Sequence, residues 1–445
     1  MKMINKAHIS KALFLLLAAL LICTPPLLAQ DKEGGLIKLN IPKAISMAFE
    51  ASEDLKMSEN AVLRKRSQKK EELADGLPHI SGQAGWSDSF EYPDIASTAA
   101  MKEYYANAGV TLSQTLFTFG RISNAVSAAN RAVEASRFNK ESTKQDIIYN
   151  TKLSYFNTLL AKRILEIAQE SYKNAKENKK ILEDRSAQGR VSKYDNIKIS
   201  SDISSRLPVV NNARANFIST LETLKMVIGV AAGDAVELVD GFSQEFPAFD
   251  REKLAVALRD NQPAIKALVA TIKEKEKLVS SKKAALFPEI SAFGTWSHQG
   301  YGDSSYVGSN NMNDYGVAGL KIDIPLWMGG EDQEKLSQAR IDRRDAELQY
   351  AKGQKDYLLQ LDKTISEYQE YLKTLEANKE ALRLAEESFK YSQELFSSGQ
   401  ISVTDLNDAE LQLTNAKISE ERTLFNLSMS LARIERLTLM ENARE

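Results

Sequence analysis

Two hydrophobic periods alternate along this chain. Leu361, Tyr368, Leu375, Leu382, Phe389 and Phe396 recur at intervals of seven, with Ile365 and Leu372 between them. A repeat held over that distance specifies a long helix lying along a coiled-coil seam, not a helix buried in a globule. No proline or glycine interrupts the run from Arg121 to Gln188. At about 1.5 Å per residue, that run predicts a helix on the order of 100 Å long. Helical patterning also covers Pro42 to Asp75 and Ser192 to Ile228. Each of these is roughly half as long, so two short helices end to end would match one long one. Pro208 is expected to kink the second of them.

Between the helical stretches the period changes to two. Ile80, Gly82, Ala84 and Trp86 alternate with Ser81, Gln83, Gly85 and Ser87. Tyr104, Ala106, Ala108, Val110 and Leu112 alternate with Tyr105, Asn107, Gly109, Thr111 and Ser113. Gly316, Ala318, Leu320, Ile322 and Ile324 alternate with Tyr315, Val317, Gly319, Lys321 and Asp323. One face is apolar and the other mostly polar, over roughly ten residues, as in a transmembrane β-strand with lipid on one side and water on the other. Trp86, Phe90, Tyr92, Tyr104, Trp296, Tyr301 and Tyr315 gather near the hairpin tips, where an interfacial aromatic girdle would sit. A soluble hairpin with one wet face has the same alternation. The stretch from Tyr301 to Asn313 is rich in Gly, Ser and Asn and reads as an exposed loop.

The pattern is written twice. Pro78 and Pro288 open similar strands, Gly120 and Gly330 close similar hairpins, and Gly189-Arg-Val-Ser192 answers Gly399-Gln-Ile-Ser402. Each pair lies 210 positions apart, too long a period for a solenoid and therefore a duplicated module. The expected organisation is a first repeat over 30–240, with a hairpin at 79–117 and a helical tip at 189–192. A second repeat over 241–445 has its hairpin at 289–326 and its tip at 399–402. Gly189 and Gly399 can take the left-handed conformation that ends a helix. Ser192 and Ser402 can cap the next helix, with Asp195 and Asp405 three residues on at its positive end.

Composition removes most alternatives. Ten prolines and 21 glycines in 445 residues are too few for a loop-rich globule. With 58 basic and 60 acidic side chains, the net charge of −2 excludes a generally basic nucleic-acid surface. One cysteine, Cys23, permits neither an internal disulfide nor a thiolate metal cluster, and the three histidines are scattered. No HExxH, GxxxxGK[ST] or GxSxG pattern is present, so no enzyme, cofactor or metal centre is expected. Lys2, Lys6 and Lys11 precede an apolar run from Ala12 to Cys23, followed by Pro25-Pro26 and Leu27-Leu28-Ala29. Residues 1–29 are thus expected to be a secretory signal peptide, with the exported chain beginning at Gln30. Acylation of Cys23 is the alternative, disfavoured by the bulky Ile22 before it.

Four strands cannot close a barrel, and two chains would give eight, whose interior side chains normally fill. Three chains and twelve strands is the smallest arrangement with a water-filled lumen. On the duplicated strand openings, the Leu116-Phe-Thr-Phe-Gly120 and Leu326-Trp-Met-Gly-Gly330 junctions and the two Gly-x-x-Ser tips, the chain resembles the TolC family of outer-membrane efflux and secretion channels. The resemblance implies a mainly α fold with a β-barrel portion. Long antiparallel coiled-coil helices would form a periplasmic α-barrel, and four strands per chain would enter a twelve-stranded transmembrane β-barrel in a homotrimer. It implies the outer membrane of a Gram-negative bacterium, a passive exit duct, a periplasmic adaptor and an inner-membrane RND or ABC transporter. It also implies a periplasmic aperture at Asp405 and Asp408, and adaptor contact at Gly189, Val191, Ser192, Asp195, Gly399, Ile401 and Ser402. The competing expectation is a periplasmic coiled-coil scaffold with soluble hairpins.

Overall fold

The computed structural model describes residues 36–88, 104–187, 192–302, 307 and 312–440. The expected signal peptide, Cys23, Phe90, Tyr92, Gly189 and Val191 lie outside these residues. The chain divides into a small unit, described at residues 36–38 and 233–237, and a large unit that holds the rest. In the small unit Ile37 N donates to Ala235 O at 2.8 Å. The elements in chain order are β1 (Ile37–Leu39), α1 (Ile41–Ala51), α2 (Glu53–Ala74), β2 (His79–Asp88), β3 (Tyr104–Phe117), α3 (Arg121–Ala187) and α4 (Lys193–Val227). They continue with β4 (Val236–Leu238), α5 (Arg251–Asn261), α6 (Pro263–Ala284), β5 (Glu289–Gly302), β6 (Met312–Asp323), α7 (Glu331–Ser398) and α8 (Val403–Thr438).

The large unit is dominated by α3 and α7, of 67 and 68 residues. Leu361, Ile365, Tyr368, Leu375, Phe389 and Phe396 of the heptad series are buried. The first four join Leu254, Leu258, Leu424 and Leu427 in one core between α5, α7 and α8. Phe389 and Phe396 join Leu182, Ile199, Val403 and Leu406 in a second core near the helical tips. α4 runs as one helix through Pro208.

The helix expected over 42–75 is two helices. Ser52 leaves the helical region with ψ 116°, and its hydroxyl accepts a hydrogen bond from Leu55 N at 3.1 Å, capping α2. Gln262 makes the same break, with ψ 116°, before Pro263 opens α6. Ser52 and Gln262 are again 210 positions apart. Proline has no N–H to give the preceding turn and is best accommodated in the first turn of a helix. In the first copy a capping serine takes over that role.

Four strands of the large unit form one sheet in the order β2-β3-β5-β6, antiparallel throughout. β6 ends at Asp323, so residues 324–326, placed in the hairpin by sequence, fall in the connection to α7. The strand-to-helix junctions explain the duplicated Phe-Gly and Gly-Gly motifs. Phe119 and Gly120 have φ of 49° and 93°, and their counterparts Gly329 and Gly330 have 65° and 88°. Two successive left-handed residues swing the chain from strand into helix. Glycine does this without strain, and Phe119 does it at a cost of about 1–2 kcal/mol.

Candidate functional site

The sheet register places the two expected faces back to back. Gly82 pairs with Val110, Val110 with Trp296, and Trp296 with Gly316. One row in the same register family joins Ile80, Leu112, Gly294 and Ala318. Paired residues share a face, so Ile80, Trp86, Val110, Leu112, Trp296, Ala318, Leu320 and Ile322 all lie on one side. The other side carries Ser81, Gln83, Asn107, Thr111, Thr295, Ser297 and Lys321. There the Thr111 and Thr295 hydroxyls meet at 3.3 Å, and Tyr105 Oη donates to Gln299 Oε1 at 3.0 Å.

The aromatic girdle expected from sequence splits between the faces. Trp86, Tyr104 and Trp296 are on the apolar side, and Trp86 stacks on Tyr104 at 5.8 Å. Tyr301 and Tyr315 pair with Tyr105 and Ser297 and therefore belong to the polar side. Among the described residues, β2 and β6 are sheet edges with no further strand beside them. At the helical end of the polar side, Arg121 Nη2 pairs with Glu289 Oε2 at 2.6 Å and Lys321 Nζ with Asp323 Oδ2 at 2.9 Å.

At the far ends of the long helices are the two tips. Ser402 Oγ accepts from Asp405 N at 3.3 Å, and Asp405 Oδ2 accepts from Ser402 N at 3.1 Å and from Ser402 Oγ at 2.8 Å. This reciprocal capping box fixes the start of α8. The Ser402 hydroxyl, then its backbone N–H, and then the Lys198 ammonium hold the Asp405 carboxyl below the usual aspartate range. Asp408 is exposed one turn farther along the helix. Its counterpart in the first copy is Lys198, which donates to Thr404 and so sits beside the second tip. The first tip is capped likewise, with Asp195 N donating to Ser192 Oγ at 3.1 Å. Ile401 packs against the tip core.

Gly399 ends α7 with φ 82°, donating to the carbonyls of Leu395 and Phe396. Arg185, from the end of α3, clasps this turn. Its Nη1 donates to Phe396 O at 2.8 Å and its guanidinium stands 5.5 Å from the Phe396 ring centre. Sequence reasoning missed Arg185, although a basic side chain in the last turn of α3 was a usable signal. A methyl group on Gly399 would come 2.7 Å from Arg185 Nη2. Gly399→Ala is therefore expected to cost about 1–2 kcal/mol from backbone strain, and more from displacing Arg185. Thermal unfolding measures the loss, and the second part disappears in an Arg185→Ala background.

Farther from the tips, α8 carries a buried carboxylate. Glu410 is 1% exposed and lies 2.7 Å from Arg206 Nη1. Arg206 also pairs with Asp202 Oδ2 at 2.8 Å and donates to Ser171 Oγ at 2.7 Å, tying α3, α4 and α8 together. Burial pushes the Glu410 carboxyl up, with Arg206 opposing it. A carboxyl raised in the folded state binds its proton more tightly there than in the unfolded chain. Its contribution to stability is therefore full at acid pH and lost as pH rises through the folded value. Glu410→Gln is expected to raise the urea midpoint at about pH 7.5 and to change it little at about pH 4. Among the described residues, no group of three or more His, Cys, Asp and Glu is arranged to hold a metal.

Comparison with known proteins agrees with this geometry. The family model described as outer membrane efflux protein matches residues 44–230 and again 254–438, two segments that begin 210 positions apart. Nodulation protein T of Rhizobium leguminosarum bv. trifolii is 22% identical over 408 residues, 90% of this chain and 82% of its own. The cation efflux system protein CusC of Escherichia coli O157:H7 is 23% identical over 376 residues, 83% of this chain and 79% of its own. The crystal structure of the Campylobacter jejuni CmeC outer membrane channel shares the fold with a TM-score of 0.77 at 17% identity, covering 92% of this chain and 90% of that one. With both halves matched, the chain belongs to the outer membrane efflux protein family and is an outer-membrane channel with a large periplasmic part.

Proposed function

We propose that three copies of this chain form a passive exit duct, and that the two free edges of the four-stranded sheet are where the copies join. β2 and β6 run in opposite directions, so β6 of one copy can continue β2 of the next in antiparallel order. Three copies then give a closed twelve-stranded barrel, whereas an open sheet would leave unpaired backbone groups in lipid. The apolar face supports an outward orientation and the polar face a wet lumen. The two repeats, 30–240 and 241–445, supply one hairpin and one helical tip each, after removal of residues 1–29 ahead of an unacylated Gln30.

In this reading the tips form the periplasmic mouth. Gly399, Ile401 and Ser402, with Gly189, Val191, Ser192 and Asp195 at the first tip, receive a periplasmic adaptor. An inner-membrane RND or ABC transporter delivers cargo and supplies the energy, and this chain makes and breaks no bond. Asp405 and Asp408, three residues apart on α8, line the narrowest ring. Native mass spectrometry in mild detergent is expected to give a trimer, and the same preparation is expected to conduct ions in a planar bilayer. A stable monomer that leaves the membrane fraction without detergent would overturn the reading in favour of a soluble scaffold.

A further inference from the structure

The polar side of the sheet carries a graded chemistry that ion conduction alone does not call for. Its charged groups are confined to the helical end, where Arg121 pairs with Glu289 and Lys321 with Asp323. Beyond Lys321, five successive rows on this side hold no Asp, Glu, Lys or Arg among the described residues. Apart from His79 in the first row and Val317 in the second, they carry aromatic rings, hydroxyls, amides and glycines.

Phe293, Tyr315 and Tyr301 stand in the first, third and fifth of these rows. At about 3.3 Å per residue, each interval is roughly 13 Å along the strands. Phe293 Cζ lies 3.2 Å from the point that a β-carbon on Gly319 would occupy, so the ring lies across β6 in space that glycine leaves. Tyr301 and Tyr315 are each 53% exposed, and Tyr301 packs against Tyr105 with ring centres 4.9 Å apart. Between the rings lie neutral hydrogen-bonding groups. The second row holds the paired hydroxyls of Thr111 and Thr295. The fourth aligns three side-chain amides, those of Asn107, Gln299 and Asn313. Each amide offers both donors and an acceptor. Here too a glycine makes room, since a β-carbon on Gly85 would come 2.7 Å from Asn107 Oδ1.

Ring faces alternating with neutral donors and acceptors match a sugar ring. Its C–H face stacks on an aromatic ring, and its edge hydroxyls both donate and accept. An ion finds no counter-charge in these rows. Weak, repeated stations also let a solute enter and leave, as conduction requires. We infer that the polar face of the sheet is a transit site for uncharged, hydroxyl-rich solutes of the oligosaccharide class, with Phe293, Tyr315 and Tyr301 as its stacking stations.

The inference rests on the reading of this face as the channel lumen, and the test keeps the two apart. Purified protein in a planar bilayer is exposed, in both chambers, to maltohexaose or to a polyethylene glycol of similar size. Maltohexaose is expected to interrupt the ion current for times roughly tenfold longer than the polymer does. Tyr315→Ala with Tyr301→Ala is expected to shorten the interruptions to those of the polymer. Tyr315→Phe with Tyr301→Phe keeps the rings and is expected to retain most of the difference. If the native protein conducts but holds the sugar no longer than the polymer, the inference fails alone. It also fails alone if the double alanine variant conducts and still holds the sugar. If Trp296→Ala, on the opposite face, releases the sugar while the tyrosine variants do not, the reading of the faces fails and takes the inference with it. Native protein that conducts no ions sinks the channel reading and the inference together.

Discussion

Ala318→Arg is expected to abolish stable assembly in the outer membrane, while Val317→Arg, one residue away, is tolerated. Ala318 pairs with Gly294 and Val317 with Thr295, so the two neighbours lie on opposite faces of β6. Ala318 stands near the middle of that strand, in the row shared with Ile80 and Leu112. An arginine on the lipid side near the bilayer midplane costs about 2–4 kcal/mol, and a threefold assembly carries it three times, for roughly 6–12 kcal/mol. That is comparable with the whole stability of an ordinary domain. Arginine at position 317 enters a face that already holds Lys321 and threonines, and its charge stays hydrated. The comparison is made by the amount of trimer extracted from outer membranes with mild detergent. If position 317 proves to be the intolerant one, the faces are reversed and the apolar rows line the interior.

The two mutations differ by one residue because a strand has a period of two, and that same simplicity made the sheet legible in the sequence. Parity alone assigns Tyr301 and Tyr315 to the polar rows, away from Trp86 and Trp296. Grouping aromatics by nearness to the hairpin tip ignored that parity and merged two faces. The long helices were equally legible, since a seven-residue repeat without glycine or proline leaves few alternatives. The break at Ser52 was not, because the helical pattern runs through it. Its signal lay 210 positions away, where Pro263 opens α6, and only the duplication carries it back. Arg185 over Phe396, and Arg206 beside Glu410, join residues more than 200 positions apart. Which tip packs on which helix is a tertiary choice that local pattern does not encode.

The tip shows how a local motif and a functional proposal can occupy one side chain. Asp405→Asn with Asp408→Asn is expected to weaken cation selectivity and block by bound cations, while leaving the trimer intact. Neither carboxylate belongs to the apolar seam, and both are exposed. Around a threefold axis they would give six acidic groups, whose field favours cations over anions. Crowding alone would raise the pKa of some members. Within the protomer Asp405 is pulled the other way by the Ser402 hydroxyl, the Ser402 N–H and Lys198. A carboxyl depressed in the folded state contributes its stability above the ordinary aspartate value and loses it only as pH falls through the folded one. Within the protomer the capping box therefore stays closed across the neutral and mildly acid range, with Asp405 charged. The single variants separate the roles: Asp405→Asn should loosen the start of α8 and reduce selectivity, whereas Asp408→Asn should reduce selectivity without touching the cap. Asp195→Asn is the matched control, since Asp195 is also hydrogen-bonded to a capping serine, Ser192, but has Lys198 instead of an aspartate three residues on. Reversal potentials in a salt gradient, read with hydrogen exchange at the tips, measure both effects. Unchanged ion preference in the double variant would leave these aspartates as helix-start charges only and place the constriction elsewhere along the helices.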